Sequence, residues 1–476
     1  MTPAVVEPRR AFEWPDIVEV LAQQASPPGQ LYLVGGTVRD ALLGYPVHDI
    51  DIATPLDGLA IAREMADSLG GAYYPVDRER QTGRVRVTHG GEDIIIDVAS
   101  FRADGLSADL AWRDFTINAM ATPLDDLDML IDPLGGQADL FDRRVIHQCR
   151  PDSVERDPIR ALRAVRQSLQ FRLTITPETT AAIRKAVPTL TIDGRLNQPE
   201  RVRDEVFKTL AGGKPAAALR ALNALGALDA ITPYPPPPQQ ALAERIAVVA
   251  RLQDLFDIIG AGRDDNTAAD LMLGIAVMVL DRYRRQLQEH IERKLADGRP
   301  LTALLHLGAL TLPEIDMPGK MWGGYLRLSN AEEAILDALV EAWRTFPAER
   351  PVGRREAHRY FRGPGETGVS GVLLVLAEQL SHQPIGAPDP EGWSVLLTEA
   401  AAPLLEAMFR EHQQVVAPPP LVDGNDLIQQ LGIEPGPQVG ALLERLLEEQ
   451  AAGVIQTKKE ALNLAERLLK TGDTDG

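Results

Sequence analysis

The chain has 476 residues, of which 45% are hydrophobic, 25% charged and 5% aromatic, and its formal net charge is -19. That length exceeds one hydrophobic core and predicts two to four domains. The composition is that of a soluble globular protein, and the acidity excludes a general nucleic-acid coat, which needs clustered lysine and arginine.

A single cysteine, Cys149, excludes an internal disulfide framework and points to a reducing, cytoplasmic setting. The opening MTPAVVEPRRAFEW does not read as a signal peptide. No apolar run approaches the roughly 20 residues of a membrane span, so no membrane partner is expected. Charge is uneven: residues 141–214 hold 15 Lys plus Arg against 9 Asp plus Glu, a local +6 that could hold RNA on an otherwise acidic protein.

In chain order, residues 31–34 (LYLV) read as a buried strand and 37–43 (TVRDALL) as a helix stopped at Gly44. HDIDIAT alternates polar and apolar residues and predicts a second strand. A helix over 58–69 and strands over 84–88 and 94–101 follow, so that a mixed sheet with flanking helices fills roughly 30–145. Beyond about 155, amphipathic helical patterns run to the end, punctuated by proline-rich stretches at 233–238, 351–365 and 417–420.

The run LVGGTVRDALLGYPVHDIDIAT (33–54) carries the first chemistry. Residues two apart on a strand share a face, so Asp49 and Asp51 project together, and adjacent carboxylates call for a cation such as Mg²⁺ between them. Gly35 and Gly36 let the backbone approach a phosphate ahead of a helix N-terminus, and Arg39 on that helix could neutralise a triphosphate. Asp97, in the apolar strand IIIDVASF, reads equally as a third metal carboxylate or as one half of a salt bridge, with Arg102 as the partner. In ERDPIRALRAVR (155–166), Asp157 suits an N-cap and Pro158 the first helical position, while Arg160, Arg163 and Arg166 recur every three residues.

These pieces in this order resemble the class II tRNA nucleotidyltransferase and bacterial poly(A) polymerase family. The resemblance rests on G-G-x-V-R-D-x-L-L-G followed by D-x-D-x-x-T, on WRDFTINAMA (112–121), on IDPLGGQADL (131–140) and on RDPIR (156–160). Two positions depart from the family pattern: Trp112 stands where a second arginine is common, and Arg156 stands where a glutamate is common.

The resemblance implies an α+β fold, a nucleotidyltransferase mixed-sheet head followed by a long all-helical body with room for a degenerate HD-like region. The implied domains are a catalytic head (25–150), a nucleotide-selecting and RNA-binding neck (151–232), a helical body (239–415) and a C-terminal tRNA-contact module (416–476). Asp49 and Asp51 would hold the metal. Gly35, Gly36, Arg39, Arg113 and Asn118 would bind the nucleotide, with Asp114 supporting the site. Asp157 and Arg160 would select the base, with Arg163 and Arg166 in support.

The implied reaction is template-independent addition of CMP and AMP from CTP and ATP to the 3′ end of tRNA, with pyrophosphate released. An A-adding enzyme, a CC-adding enzyme or a poly(A) polymerase would share the motifs, and a silent RNA-binding protein could share the scaffold. The segment 72–90 is where a specificity-setting loop is expected. Residues 354–362 (RREAHRYFR) read as an RNA grip or as a solvated helix, and His306 as a packed helix residue rather than a metal ligand. With no His-Asp pair in the second half, no HD-type hydrolase is expected.

Overall fold

A computed structural model describes residues 4–24, 27–233, 238–260, 270–295, 298–311, 316–347, 350–383 and 388–471. The proline run at 233–238 therefore falls largely outside the described residues. The chain divides into two compact units, one of residues 1–197 with 221–231 and the other of residues 198–220 with 232–476.

The first unit is built on an eight-stranded mixed sheet. Its elements are β1 (Val5–Val6), α1 (Asp16–Gln23), β2 (Tyr32–Val34), α2 (Gly36–Leu43), β3 (Asp49–Thr54), α3 (Gly58–Leu69), β4 (Ala72–Asp77), β5 (Thr82–His89), β6 (Glu92–Ser100), α4 (Leu106–Ala111), β7 (Ala121–Pro123), β8 (Leu130–Ile131), α5 (Gly136–Ala138), α6 (Ser153–Arg156), α7 (Arg160–Gln170) and α8 (Pro177–Ala186). Strand order is β1-β8-β7-β2-β3-β6-β5-β4. Only the central β3–β6 pair is parallel, and it brings Asp51 opposite Asp97.

Alternation along β3 explains its place. Ile50 and Ile52 are buried while Asp49 is exposed and Asp51 half-buried, so one face feeds the core and the other is left for chemistry. The Asp57 carboxylate accepts from Leu59 and Ala60 N–H at 2.9 and 3.3 Å and starts α3 where the spacing predicts it.

The segment expected as a loop, 72–90, instead forms the β4–β5 hairpin with a turn at 78–81. Its strand character is hidden because β4 is an edge strand whose exposed Tyr74 and Val76 break the apolar alternation.

The α7 helix begins at Arg160, three residues later than an Asp157 cap predicts. Asp157 is extended (φ −139°, ψ 90°), as the residue before a proline prefers. Its carbonyl accepts the Arg160 N–H at 3.0 Å, so the entry is a tight turn before the helix proper.

The second unit is helical through nearly all its described length. At its C-terminal end, helices Gly424–Leu431, Pro437–Ala451 and Lys458–Thr471 close on a core of Val422, Leu427, Leu442, Leu446 and Ala461. Among the described residues, no helix is long and apolar enough to cross a membrane.

Candidate active site

Strand β2 pairs with β3 only as far as Leu33 opposite Ile52, because the chain then turns away at Gly35 into α2. Gly35 has φ +71°, and a Cβ there would lie 2.7 Å from Arg113 Nη1 and 3.3 Å from Asp51 Oδ2. The position thus demands glycine both for its backbone and for the space beside the carboxylate. Gly36 has no such constraint, since a Cβ would meet Arg39 Nη2 at 3.4 Å.

Thr37, in the first turn of α2, fills the hydrogen-bonding gap that β2 leaves. Its hydroxyl accepts the Asp51 N–H at 2.8 Å and donates to the Asp49 carbonyl at 3.3 Å. Sequence reasoning passed over Thr37, since a threonine in a helix carries no pattern of its own.

Across the sheet, Asp51, Asp97 and Arg84 form one row on β3, β6 and β5. Arg84 engages Asp97 with both Nε and Nη2 at 2.8 Å, which settles the pairing of that buried-strand carboxylate. Arg102, the partner expected for it, instead gives its backbone N–H to Asp109 Oδ1 at 2.9 Å. Burial pushes the Asp51 carboxyl above its ordinary range; Arg113 opposes the rise and the charges of Asp97 and Asp49 add to it.

A divalent cation suits this donor set. Two carboxylates share one face, and their mutual repulsion and the cost of Asp51 ionisation are what a cation would relieve. Among the described residues, no group of three or more His, Cys, Asp or Glu gathers as a metal cage, so the donors are the Asp49–Asp51 pair.

A buried polar chain runs from α2 to α7. The Arg39 guanidinium gives Nε and Nη2 to Asp40 at 2.9 and 2.8 Å, gives Nη1 to Asn118 Oδ1, and lies 4.3 Å from the Phe171 ring centre. Burial lowers its pKa, which the Asp40 charge only partly restores. Asn118 Nδ2 donates to Asp114 Oδ1 at 2.9 Å and to Gln167 Oε1 at 3.0 Å. Asp114 also accepts the Phe115 N–H at 2.8 Å and Arg163 Nε at 2.8 Å. Burial alone would raise the Asp114 pKa, but the Arg163 charge and the hydrogen bonds from Asn118 and Arg163 hold it far below the ordinary range. Gln167 was also missed: a buried glutamine on an apolar helix face gives no periodic signal.

Arg113 stands beside Gly35 and Asp51, with Nη2 3.8 Å from Asp109 and a buried Nε that has no hydrogen-bond partner. Arg160 Nη1 donates to the Arg113 carbonyl at 2.9 Å and also contacts the Ser153 hydroxyl, and Nη2 donates to the Trp112 carbonyl at 3.0 Å. Its Nε lies 3.8 Å from Asp157 Oδ2, so the structure does bring these two side chains together, both partly exposed. Arg166 lies farther out and reaches Gln170 at 3.3 Å.

The glycine pair of IDPLGGQADL has a packing role. Asp132 accepts the N–H groups of Gly136 and Gln137 at 2.8 and 2.9 Å, and a Cβ on Gly136 would sit 2.1 Å from the Thr116 carbonyl oxygen. That contact seats the short 3₁₀ turn Thr116–Asn118.

In the second unit, the arginines of helix Arg354–Arg362 are neither solvated nor presented as an open basic face. Arg354, Arg355, Arg359 and Arg362 pair with Glu411, Glu449, Glu448 and Glu444. His306 is buried, its Nδ1 2.9 Å from the Leu210 carbonyl and its ring 5.3 Å from that of Phe256.

Comparison with known proteins agrees with this geometry. A family described as "Poly A polymerase head domain" matches residues 31–146, and one for tRNA nucleotidyltransferase domain 2 matches 404–465. A CC-adding tRNA nucleotidyltransferase of Geobacter sulfurreducens is 31% identical over 92% of both chains. An A-adding tRNA nucleotidyltransferase of Deinococcus radiodurans is 33% identical over 93% of this chain and 96% of its own. Among solved structures, a CCA-adding enzyme with CTP superposes with a TM-score of 0.61 at 22% identity, covering 96% of this chain and 94% of that one. A Thermotoga maritima CCA-adding enzyme complexed with tRNA gives 0.57 at 22% identity, covering 97% and 100%.

Proposed function

The chain belongs to the tRNA nucleotidyltransferase and poly(A) polymerase family, and we propose that it adds CMP and AMP from CTP and ATP to the 3′ end of tRNA without a template. The carrying observation is the Asp49–Asp51 face, pinned by Thr37 and flanked by Arg113 over the Gly35 turn. The 3′-hydroxyl oxygen of the RNA attacks the α-phosphorus of the nucleotide. A new P–O bond forms, the α–β bridging P–O bond breaks, and pyrophosphate leaves.

Asp49 and Asp51 would hold Mg²⁺, which when bound supplies Lewis-acid stabilisation of the attacking and departing oxygens. The N-terminal amides of α2 and the Arg113 guanidinium take the triphosphate, Arg113 with a buried donor still unpartnered. Arg39 is engaged on every side, so it contributes charge and the position of Asn118 rather than an open contact. Asn118, Arg163 and Gln167 brace α7 against the head through Asp114.

Asp157 and Arg160 read the base. Cytosine and adenine each place an amino donor beside a ring-nitrogen acceptor, which a carboxylate and a guanidinium match. Uracil and guanine reverse that polarity and would leave the carboxylate facing a carbonyl. The single cysteine fits a reaction carried out in the cytoplasm.

A second reading has its own support: the relatives matched along their whole length each carry a divided activity, CC-adding or A-adding. On that reading the chemistry is the same and only one part of CCA is added.

The test is incorporation of labelled nucleotide into tRNA transcripts with Mg²⁺ present. Asp49→Asn and Asp51→Asn should each abolish it while the protein stays folded; activity retained in both would sink the assignment.

A further inference from the structure

The two departures from the family pattern meet in one contact. The Trp112 ring is clasped by two guanidiniums, with Arg150 Cζ 4.6 Å and Arg156 Cζ 4.8 Å from its centre. Asp152 ties the clasp together, accepting Arg150 Nε at 3.2 Å and also Arg156 Nε. On one side of this stack, the Trp112 carbonyl receives Arg160 Nη2 at 3.0 Å. On the other, Arg156 ends α6 and is followed directly by Asp157. The indole is thus joined to both members of the base-reading pair, to one through its backbone and to the other through a stacked neighbour. Ser153, in the first turn of α6, adds a bond from its hydroxyl to the Arg113 carbonyl at 3.0 Å.

We propose that Trp112, stacked between Arg150 and Arg156, is a positioning residue for nucleotide selection, setting the separation and angle of Asp157 and Arg160. The inference rests on that pair reading the base. The stack does the work that an arginine–glutamate pair at the same two positions could do by charge. A cation over an indole face is a strong member of its class, and both arginines stay partly exposed, so the assembly carries no buried unpaired charge. The aim of the pair, rather than its chemistry, is what the stack controls.

The experiment measures kcat and KM for CTP, ATP, UTP and GTP on tRNA transcripts, together with thermal melting, for five proteins. They are the wild type, Trp112→Ala, Trp112→Phe, Trp112→Ala with Arg156→Ala, and Asp157→Ala. In Trp112→Ala, discrimination against UTP and GTP should fall about tenfold, the scale of one desolvated cation–aromatic contact, through a higher KM for the correct nucleotides. Trp112→Phe, which keeps a ring face, should recover most of it. Removing Arg156 as well should add little, because both changes break the same contact. An equal loss on all four nucleotides, with discrimination unchanged, makes Trp112 merely structural and overturns the proposal. If Asp157→Ala abolishes discrimination while Trp112→Ala leaves it intact, the proposal fails and base reading by the pair stands. If Asp157→Ala leaves discrimination intact, base reading itself fails and the proposal falls with it. Should Trp112→Ala not fold, Arg156→Ala alone carries the same comparison.

Discussion

Replacing Thr37 by valine removes one oxygen and keeps the shape. Thr37 is 1% exposed, so no water can take the place of its hydroxyl. The Asp51 N–H, which that hydroxyl receives at 2.8 Å, is left without a partner. An unsatisfied buried amide costs about 1–3 kcal/mol. The longer 3.3 Å bond to the Asp49 carbonyl adds little. For a unit of this size, about 2 kcal/mol lowers the melting temperature by roughly 4–8 °C. The effect on chemistry should exceed the effect on stability, because both aspartates hang from the backbone that Thr37 fixes. Misplacement on the order of 1 Å can cost about 100-fold in rate, so kcat should fall by about tenfold to 100-fold with little change in nucleotide KM. Thr37→Ser, which keeps the hydroxyl, should retain most of the rate. Calorimetry and single-nucleotide incorporation on a tRNA transcript make the check. Thr37→Val that melts and turns over like the wild type would refute the view that this hydroxyl holds the aspartates in place.

Other outcomes follow from the same geometry. Gly136→Ala should destabilise the first unit by about 3 kcal/mol or refuse to fold, because its Cβ would sit 2.1 Å from the Thr116 carbonyl oxygen; a melting curve matching wild type would contradict the packing role. His306 titrates at about 4, since burial lowers its pKa further than the Leu210 carbonyl raises it. Its folded pKa is depressed below the unfolded value, so the stability it contributes is complete above about pH 6.5 and is lost as pH falls toward 4. Urea unfolding should show about 2 kcal/mol less stability at pH 5 than at pH 7 from this group, and His306→Gln should flatten that part of the slope. Arg359→Ala should cost less than about 1 kcal/mol, because its Glu448 partner leaves the pair half in solvent. It should leave tRNA affinity within about twofold, since the guanidinium is already spent on that carboxylate; a loss of about tenfold would return this helix to the RNA surface.

Much of the catalytic head was legible because its chemistry lies in contiguous motifs. Strand alternation placed Asp49 and Asp51 on one face, and spacing found α3 from Gly58 to Leu69. What escaped was set by tertiary contact. Edge strand β4 has too much exposed apolar surface to alternate. The start of α7 was misplaced because Asp157 looks like a cap, while the proline after it keeps it extended. Thr37, Gln167 and Arg84 act through partners 14, 49 and 13 residues away, distances at which one sequence gives no warning. The basic stretch 354–362 misled in the opposite direction: its charge was visible, but the glutamates that neutralise it lie on other helices.

The most direct measurement uses three tRNA transcripts, ending before CCA, after C and after CC, with each of the four labelled nucleotides supplied singly and then CTP and ATP together. The account predicts CMP or AMP incorporation at one or more of these ends, no UMP or GMP, and loss of that selectivity in Asp157→Ala. No incorporation by folded protein with Mg²⁺, or equal use of all four nucleotides by the wild type, would contradict it.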